Sequence, residues 1–131
     1  MLIKKLKEGD VIYANCTDNL FCYHIGIVYD DGKKKLIYHL MPDLVNRYGG
    51  NVIATSYNDF IKGRILKQVR SSNAKNEDIL RVARKCKSEP YDGVFFNCED
   101  FILEITNGAR RSDVRDAYKI VLLTAAILII I

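Results

Sequence analysis

Residues 22–40 read CYHIGIVYDDGKKKLIYHL, two β-favouring runs (22–30 and 33–40) on either side of Asp31-Gly32. Asp-Gly between alternating apolar residues is the strongest short-range signal for a β-hairpin. A two-residue loop at Asp31-Gly32 sets Asp30 opposite Lys33 and, further along, His24 opposite His39, with Cβ atoms about 4.5 to 5.5 Å apart. These are the only two histidines in the chain. Strand alternation gives Tyr23, Ile25, Ile27 and Tyr29 one face together with Leu36, Tyr38 and Leu40, an apolar set suited to a core. The opposite face carries His24, Gly26, Val28, Ile37 and His39. Gly26 removes a side chain beside the histidines and leaves space for something to approach.

Outward from the hairpin, the elements fall into strands first and helices after. Gly9-Asp10 opens a strand through Asn15, closed by the turn-like Thr17-Asp18-Asn19. Gly49-Gly50 marks a turn, Asn51 to Thr55 a short strand, and Arg64 to Arg70 another after Gly63. Asn76 then reads as the N-cap of a helix with Glu77 and Asp78 in its first turn and Ile79, Leu80, Val82, Ala83 and Cys86 on its apolar side. Ser88-Glu89-Pro90 stops that helix. Asn97 is placed to cap a second, with Asp100 three residues on, an apolar stripe of Phe101, Ile102 and Ile105, and Asn107-Gly108 as its end. Ser112-Asp113 starts a third. The order predicts an α+β domain, a mostly antiparallel sheet packed against helices.

The chain has 131 residues, 49% hydrophobic and 27% charged, which fits one folded domain and excludes wholesale disorder. Its net charge is +4, with basic residues scattered apart from Lys4, Lys5, Lys7 and Lys33–Lys35. That is too weak for nucleic-acid binding but suits weak attraction to anionic lipid. The four cysteines, Cys16, Cys22, Cys86 and Cys98, show no close pairing, so neither a zinc ribbon nor a disulfide scaffold is indicated. The opening MLIKKLKEGD lacks the apolar run of a secretory signal. A reducing, cytosol-facing location is the expectation.

The candidate chemistry lies in Asn97-Cys98-Glu99-Asp100-Phe101. In the first turn of a helix, Cys98 would feel free N–H groups and the positive end of the dipole, both of which favour a thiolate. Cys98, Phe101, Ile102 and Ile105 follow helical spacing, so the sulfur points toward the face that packs on the sheet. Glu99 and Asp100 oppose ionisation, and a nearby imidazole is needed to tip the balance. A cysteine in an apolar stripe is ordinarily a small buried hydrophobe. Two histidines with Cys98 and one of Cys16, Cys22 or Cys86 also suit zinc by type, though in no familiar spacing. The sharper reading is a nucleophilic thiol served by one histidine, which the second histidine orients.

Gly9-Asp10, His24-x-Gly26, Tyr38-His39-Leu40 and Asn97-Cys98-Glu99-Asp100-Phe101, in that order, resemble the boxes of the lecithin retinol acyltransferase-like family, and most nearly its phospholipase/acyltransferase branch. Arg111-Ser112-Asp113-Val114-Arg115-Asp116 and the hydrophobic C-terminus are similar to features of the same branch. The resemblance spans roughly residues 9 to 131. It implies a circularly permuted papain-like fold with Cys98 as nucleophile, His24 as general base and His39 as the residue that orients His24. The implied reaction removes an acyl chain from a glycerophospholipid as a cysteine thioester and passes it to water, an amine or a hydroxyl, with no cofactor or metal. The chain departs from the family at Asp100, where the second box has histidine. A papain-like peptidase or amidase, and a non-catalytic module that keeps the fold and binds a partner, remain the other readings.

Residues 1–111 are therefore read as the catalytic domain and 112–131 as a membrane-associating helix. Ile120–Ile131, IVLLTAAILIII, has no charged residue. As a helix it spans about 18 Å, short of a hydrocarbon core of roughly 30 Å. It would thus belong to a longer anchor or lie in one leaflet with Arg115 and Lys119 at the headgroups. A buried core helix is the plainer alternative.

Overall fold

The computed structural model describes residues 5–16, 23–42, 50–86 and 98–108. The expectations for Thr17–Asn19, Cys22, Gly49, Ser88–Pro90, the Asn97 cap and residues 111–131 lie outside the described residues.

Among the described residues five strands form one antiparallel sheet: β1 (Val11–Cys16), β2 (Tyr23–Asp30), β3 (Lys35–Pro42), β4 (Gly50–Thr55) and β5 (Arg64–Arg70), in the order β4-β3-β2-β1-β5. Among the described residues three helices of five residues or more accompany them: α1 (Tyr57–Ile61), α2 (Asn76–Lys85) and α3 (Cys98–Asn107). The α+β class and the strand positions agree with the sequence reading, except that α1 was not anticipated. After β4, at one edge of the sheet, the chain must reach the other edge to form β5. Helix α1 lies on that path and packs on β3 and β5.

The hairpin register differs from the expectation by two positions. Asp30 pairs with Lys35 and Gly26 with His39, so His24 lies diagonal to His39 rather than opposite it. The cause is the turn. Gly32 takes a positive φ of 84°, no non-glycine residue among the described ones does so, and the bend centres on Gly32-Lys33 instead of Asp31-Gly32. Glycine at the first central position is the type II′ pattern. The Asp31 carboxylate accepts the N–H groups of Lys33 and Lys34, both at 2.9 Å, and Asp31 donates its own N–H to the Lys34 carbonyl at 3.3 Å. Because the shift is two residues, alternation is preserved: Ile25, Ile27, Tyr29, Tyr38 and Leu40 keep one face, and Val28 and Ile37 the other.

Both faces are covered. Ile25, Ile27, Leu40 and Val11 pack with Ile79, Val82 and Cys86 of the α2 region and with Cys98, Phe101, Ile102 and Ile105 of α3. On the reverse face Ile12, Ala14, Val28 and Ile37 pack with Leu6 and with Phe60 of α1. The two helices on the first face are tied to each other through Glu104, which pairs with the Lys85 ammonium and accepts from the Cys86 thiol at 3.7 Å.

Asn76 has a different task from the one its sequence context suggests. Lys75 is the N-cap of α2, and the Asp78 carboxylate takes its N–H at 2.9 Å. The Asn76 amide instead donates to the Asp30 carbonyl at 2.7 Å and accepts the Asp30 N–H at 3.1 Å, standing in for a neighbouring strand at the end of β2.

The space at Gly26 is already occupied. A Cβ there would meet Ile37 Cγ2 at 2.5 Å and Phe60 Cε2 at 3.0 Å. The group that approaches the histidine face is thus the Phe60 ring. Gly26→Ala should destabilise the fold by about 1–3 kcal/mol, the usual cost of overpacking a filled core. Urea denaturation checks this, and an unchanged midpoint would show that the ring is not closed down on the strand.

Candidate active site

Three strands supply one line of polar groups across the α1 face. His24 of β2 and His39 of β3 are joined through His24 Nε2 and His39 Nδ1 at 2.7 Å. His39 Nε2 in turn lies 3.0 Å from the Thr55 hydroxyl at the end of β4. The line runs diagonally because His39 pairs with Gly26 on one side and with Ile53 on the other. Among the described residues, His24 Nδ1 has no hydrogen-bond partner.

Phe60 covers the two imidazoles of this line, while Thr55 at its end stays partly exposed. Its ring stacks on His24 with centroids 5.4 Å apart and meets His39 edge-on at 5.1 Å. The placement of the ring follows from the local sequence: Ser56 caps α1 by accepting the Asp59 N–H at 3.1 Å, and Phe60 follows in the same turn. Arg64 donates to the Phe60 carbonyl at 2.8 Å, with its guanidinium carbon 5.9 Å from the ring centroid. His24 is left 5% exposed and His39 2%.

Burial disfavours the imidazolium form. It pushes the His24 pKa down to about 3, helped by the neighbouring His39 and the Arg64 charge, and the His39 pKa down to about 4, helped by Arg64. Both rings are therefore neutral at physiological pH, and each has one N–H to place. If His24 holds its proton on Nε2 and donates to His39, its Nδ1 presents a lone pair and can act as a base.

Cys98 sits where the helical spacing predicts, in the first turn of α3 and 7% exposed, in one cluster with Phe101, Ile102 and Ile105. Burial raises its thiol pKa. Hydrogen bonds from the N–H groups of Ile25, Glu99 and Cys98 itself act in the other direction, and the Glu99 charge adds to the rise. The resting group is a neutral thiol, contrary to what the helix dipole alone suggests. Beside it a pocket of about 240 Å³ is lined by Tyr13, Ile25, Arg70, Glu99, Ile102 and Leu103.

The thiol and the imidazoles occupy different faces. Cys98 packs with Ile25 on the α2/α3 side, whereas His24, the preceding residue of β2, stacks on Phe60 on the α1 side. No hydrogen bond joins either imidazole to the sulfur. They come nearest through the strand itself. The β2–β3 pairing ends at Gly26 and His39, and the N–H of Ile25, next along β2, is near enough to the Cys98 sulfur to favour its ionised form. Among the described residues no group of three or more His, Cys, Asp or Glu is placed to hold a metal ion. Asp100 is fully buried in α3.

Two contributors to the site escaped the sequence reading, Thr55 and Phe60. Ser56 followed three residues later by Asp59 is the capping signature that marks α1 and hence Phe60. Thr55 has no such local signal, since only the β3–β4 register brings it to His39.

No protein-family model, curated protein or solved structure matches the chain.

The depressed histidine pKa values make stability depend on pH in a definite direction. An unfolded imidazole binds a proton near pH 6.5 while the folded one does not until about 4 or 3, so acidification favours the unfolded chain. The stabilisation is complete above pH 6.5 and is lost as pH falls toward the folded values, by up to about 1.4 kcal/mol per pH unit for each ring. Denaturation midpoints should therefore fall between pH 7.5 and 5, with a shallower fall in His39→Asn. A flat profile in this window would contradict the buried neutral pair.

Proposed function

We propose that the chain is a thiol-dependent phospholipase A/acyltransferase of the lecithin retinol acyltransferase-like type, with Cys98 as nucleophile, His24 as general base and His39 orienting His24. One observation carries the reading: the backbone N–H of Ile25 lies close enough to the Cys98 sulfur to favour its ionised form, and Ile25 is next in β2 to His24, whose Nδ1 has no partner among the described residues. Nucleophile and base are thus anchored to consecutive residues of one strand, where its pairing with β3 ends. The histidine strands precede the cysteine helix, the order of a circularly permuted papain-like fold.

In the proposed reaction His24 Nδ1 takes the thiol proton as the sulfur attacks the ester carbonyl of a glycerophospholipid. This requires Nδ1 and the sulfur to meet at the open end of the β2–β3 ladder. The oxyanion of the tetrahedral intermediate accepts a hydrogen bond from the Cys98 N–H at the start of α3. Collapse breaks the carbon–oxygen bond, and the His24 imidazolium protonates the departing lysolipid oxygen. The acyl thioester is then attacked by water, an amine or a hydroxyl, whose proton His24 accepts before returning it to the sulfur. The hydrophobic segment 120–131 would hold the domain at a membrane surface on the cytoplasmic side. Among the described residues no helix is long and apolar enough to cross a membrane.

A second reading has its own support. Because the thiol and the imidazoles lie on opposite faces, the same residues also fit a non-catalytic module in which the histidine pair is a structural element and Cys98 a packed side chain.

Incubating the full chain with phosphatidylcholine vesicles and weighing the intact protein separates the two. The enzyme reading predicts an adduct of one acyl chain that disappears in Cys98→Ala, and thioester formation about 10²- to 10⁴-fold slower in His24→Ala. Absence of both adduct and released fatty acid from the wild-type protein would sink it in favour of the binding module.

A further inference from the structure

The histidine pair is extended by a third group that neither the motifs nor the family resemblance assigns. Thr55 ends β4, pairs across the ladder with Ile37 and reaches His39 Nε2 with its hydroxyl at 3.0 Å. His39 Nδ1 is committed to His24 at 2.7 Å. The two rings can share their protons in only two self-consistent ways. In one, the Thr55 hydroxyl donates to His39 Nε2, His39 Nδ1–H donates to His24 Nε2, and the remaining proton of His24 occupies Nδ1. That arrangement blocks the nitrogen facing away from the pair. In the other, His24 Nε2–H donates to His39 Nδ1, His39 Nε2–H donates to Thr55 Oγ1, and His24 Nδ1 keeps its lone pair.

We propose that Thr55 is a positioning residue that accepts the Nε2–H of His39 and so holds the tautomer in which His24 presents a bare Nδ1. The inference rests on the acyl-transfer reading for its consequence, but its geometry stands without it. Proton balance supports the acceptor role. When His24 takes a proton at Nδ1, it can pass its Nε2 proton to His39, which is then protonated on both nitrogens. Nδ1–H of that imidazolium donates to the vacated His24 Nε2, and its Nε2–H still donates to Thr55. The hydroxyl oxygen can serve as acceptor before and after the transfer, so the positive charge can move one ring further along the line without any group losing its partner. A donor hydroxyl would face a second N–H at that step.

The location of Thr55 also suits the task. It is followed directly by Ser56, the cap of α1, which sets Phe60 over both rings. The β4–α1 junction thus supplies the end of the proton line together with the ring that covers both imidazoles.

The test reads the tautomers directly. Long-range 1H–15N spectra of the imidazoles in the full chain should show His24 and His39 each protonated on Nε2. In Thr55→Val, which keeps the shape and removes the hydroxyl, the His39 proton should redistribute and His24 Nδ1 should become partly protonated. Thr55→Ser should restore the wild-type pattern. If the valine variant does not fold, Thr55→Ala gives the same readout. Unchanged tautomers in a folded hydroxyl-free variant, or wild-type spectra with His24 protonated on Nδ1, would overturn the proposal. With phosphatidylcholine vesicles, thioester formation on Cys98 should slow about 10- to 100-fold in Thr55→Val, the usual cost of losing an orienting partner, and recover in Thr55→Ser. If the wild-type protein forms no thioester, the acyl-transfer reading fails while the spectra still decide the role of Thr55.

Discussion

The packing of the Phe60 ring onto Gly26 is the constraint on which the rest of the site depends. It is possible only because position 26 has no side chain, and it closes the α1 face over two rings that would otherwise meet water. Exclusion of water keeps both imidazoles neutral, and neutrality leaves each with one proton to place. The hydrogen-bonded line from His24 through His39 to Thr55 follows from that shortage of protons, because every link must find a donor on one side and an acceptor on the other.

The same sheet separates this line from the thiol. β2 is the central strand and its side chains alternate, so His24 and Ile25 face opposite layers. Helix α3 needs an apolar surface for Phe101, Ile102 and Ile105, and Ile25, Ile27 and Leu40 provide it. Packing of α3 therefore carries Cys98 to the face away from the imidazoles. What links the halves is backbone: where the ladder with β3 stops, the N–H of Ile25 lies near enough to the sulfur to favour its ionised form. Burial keeps that sulfur a neutral thiol, so the proposed acyl transfer would require an imidazole to reach it at the open end of the sheet. This geometric requirement separates an acyl-transfer enzyme from a module that merely shares its parts.

Much of the fold was legible in residues 22–40 and in the helical stripes, because hydrophobic period and turn residues are local signals. The strand faces survived a wrong register for a physical reason: the bend moved from Asp31-Gly32 to Gly32-Lys33, a shift that changes pairing by two residues and leaves parity intact. The task of Asn76 was hidden because an asparagine before a helix is ordinarily a cap, and only the approach of β2 gives it Asp30 to bridge. Among the site residues, His24, His39 and Cys98 stood out by chemistry, whereas Thr55 depends on the β3–β4 register and Phe60 on a five-residue helix. The face opposition of thiol and imidazole was also illegible, since the motif spacing says which residues are present but not which side of the sheet α3 covers.

The neutrality of the covered imidazole pair is tested most directly by following the ring resonances of His24 and His39 through a titration from about pH 8 to about pH 5, across the range where an ordinary histidine protonates. Rings buried beneath Phe60 should show no protonation step in this interval. A midpoint near the ordinary 6.5 for either ring would contradict the buried pair, and with it the proton line built on it.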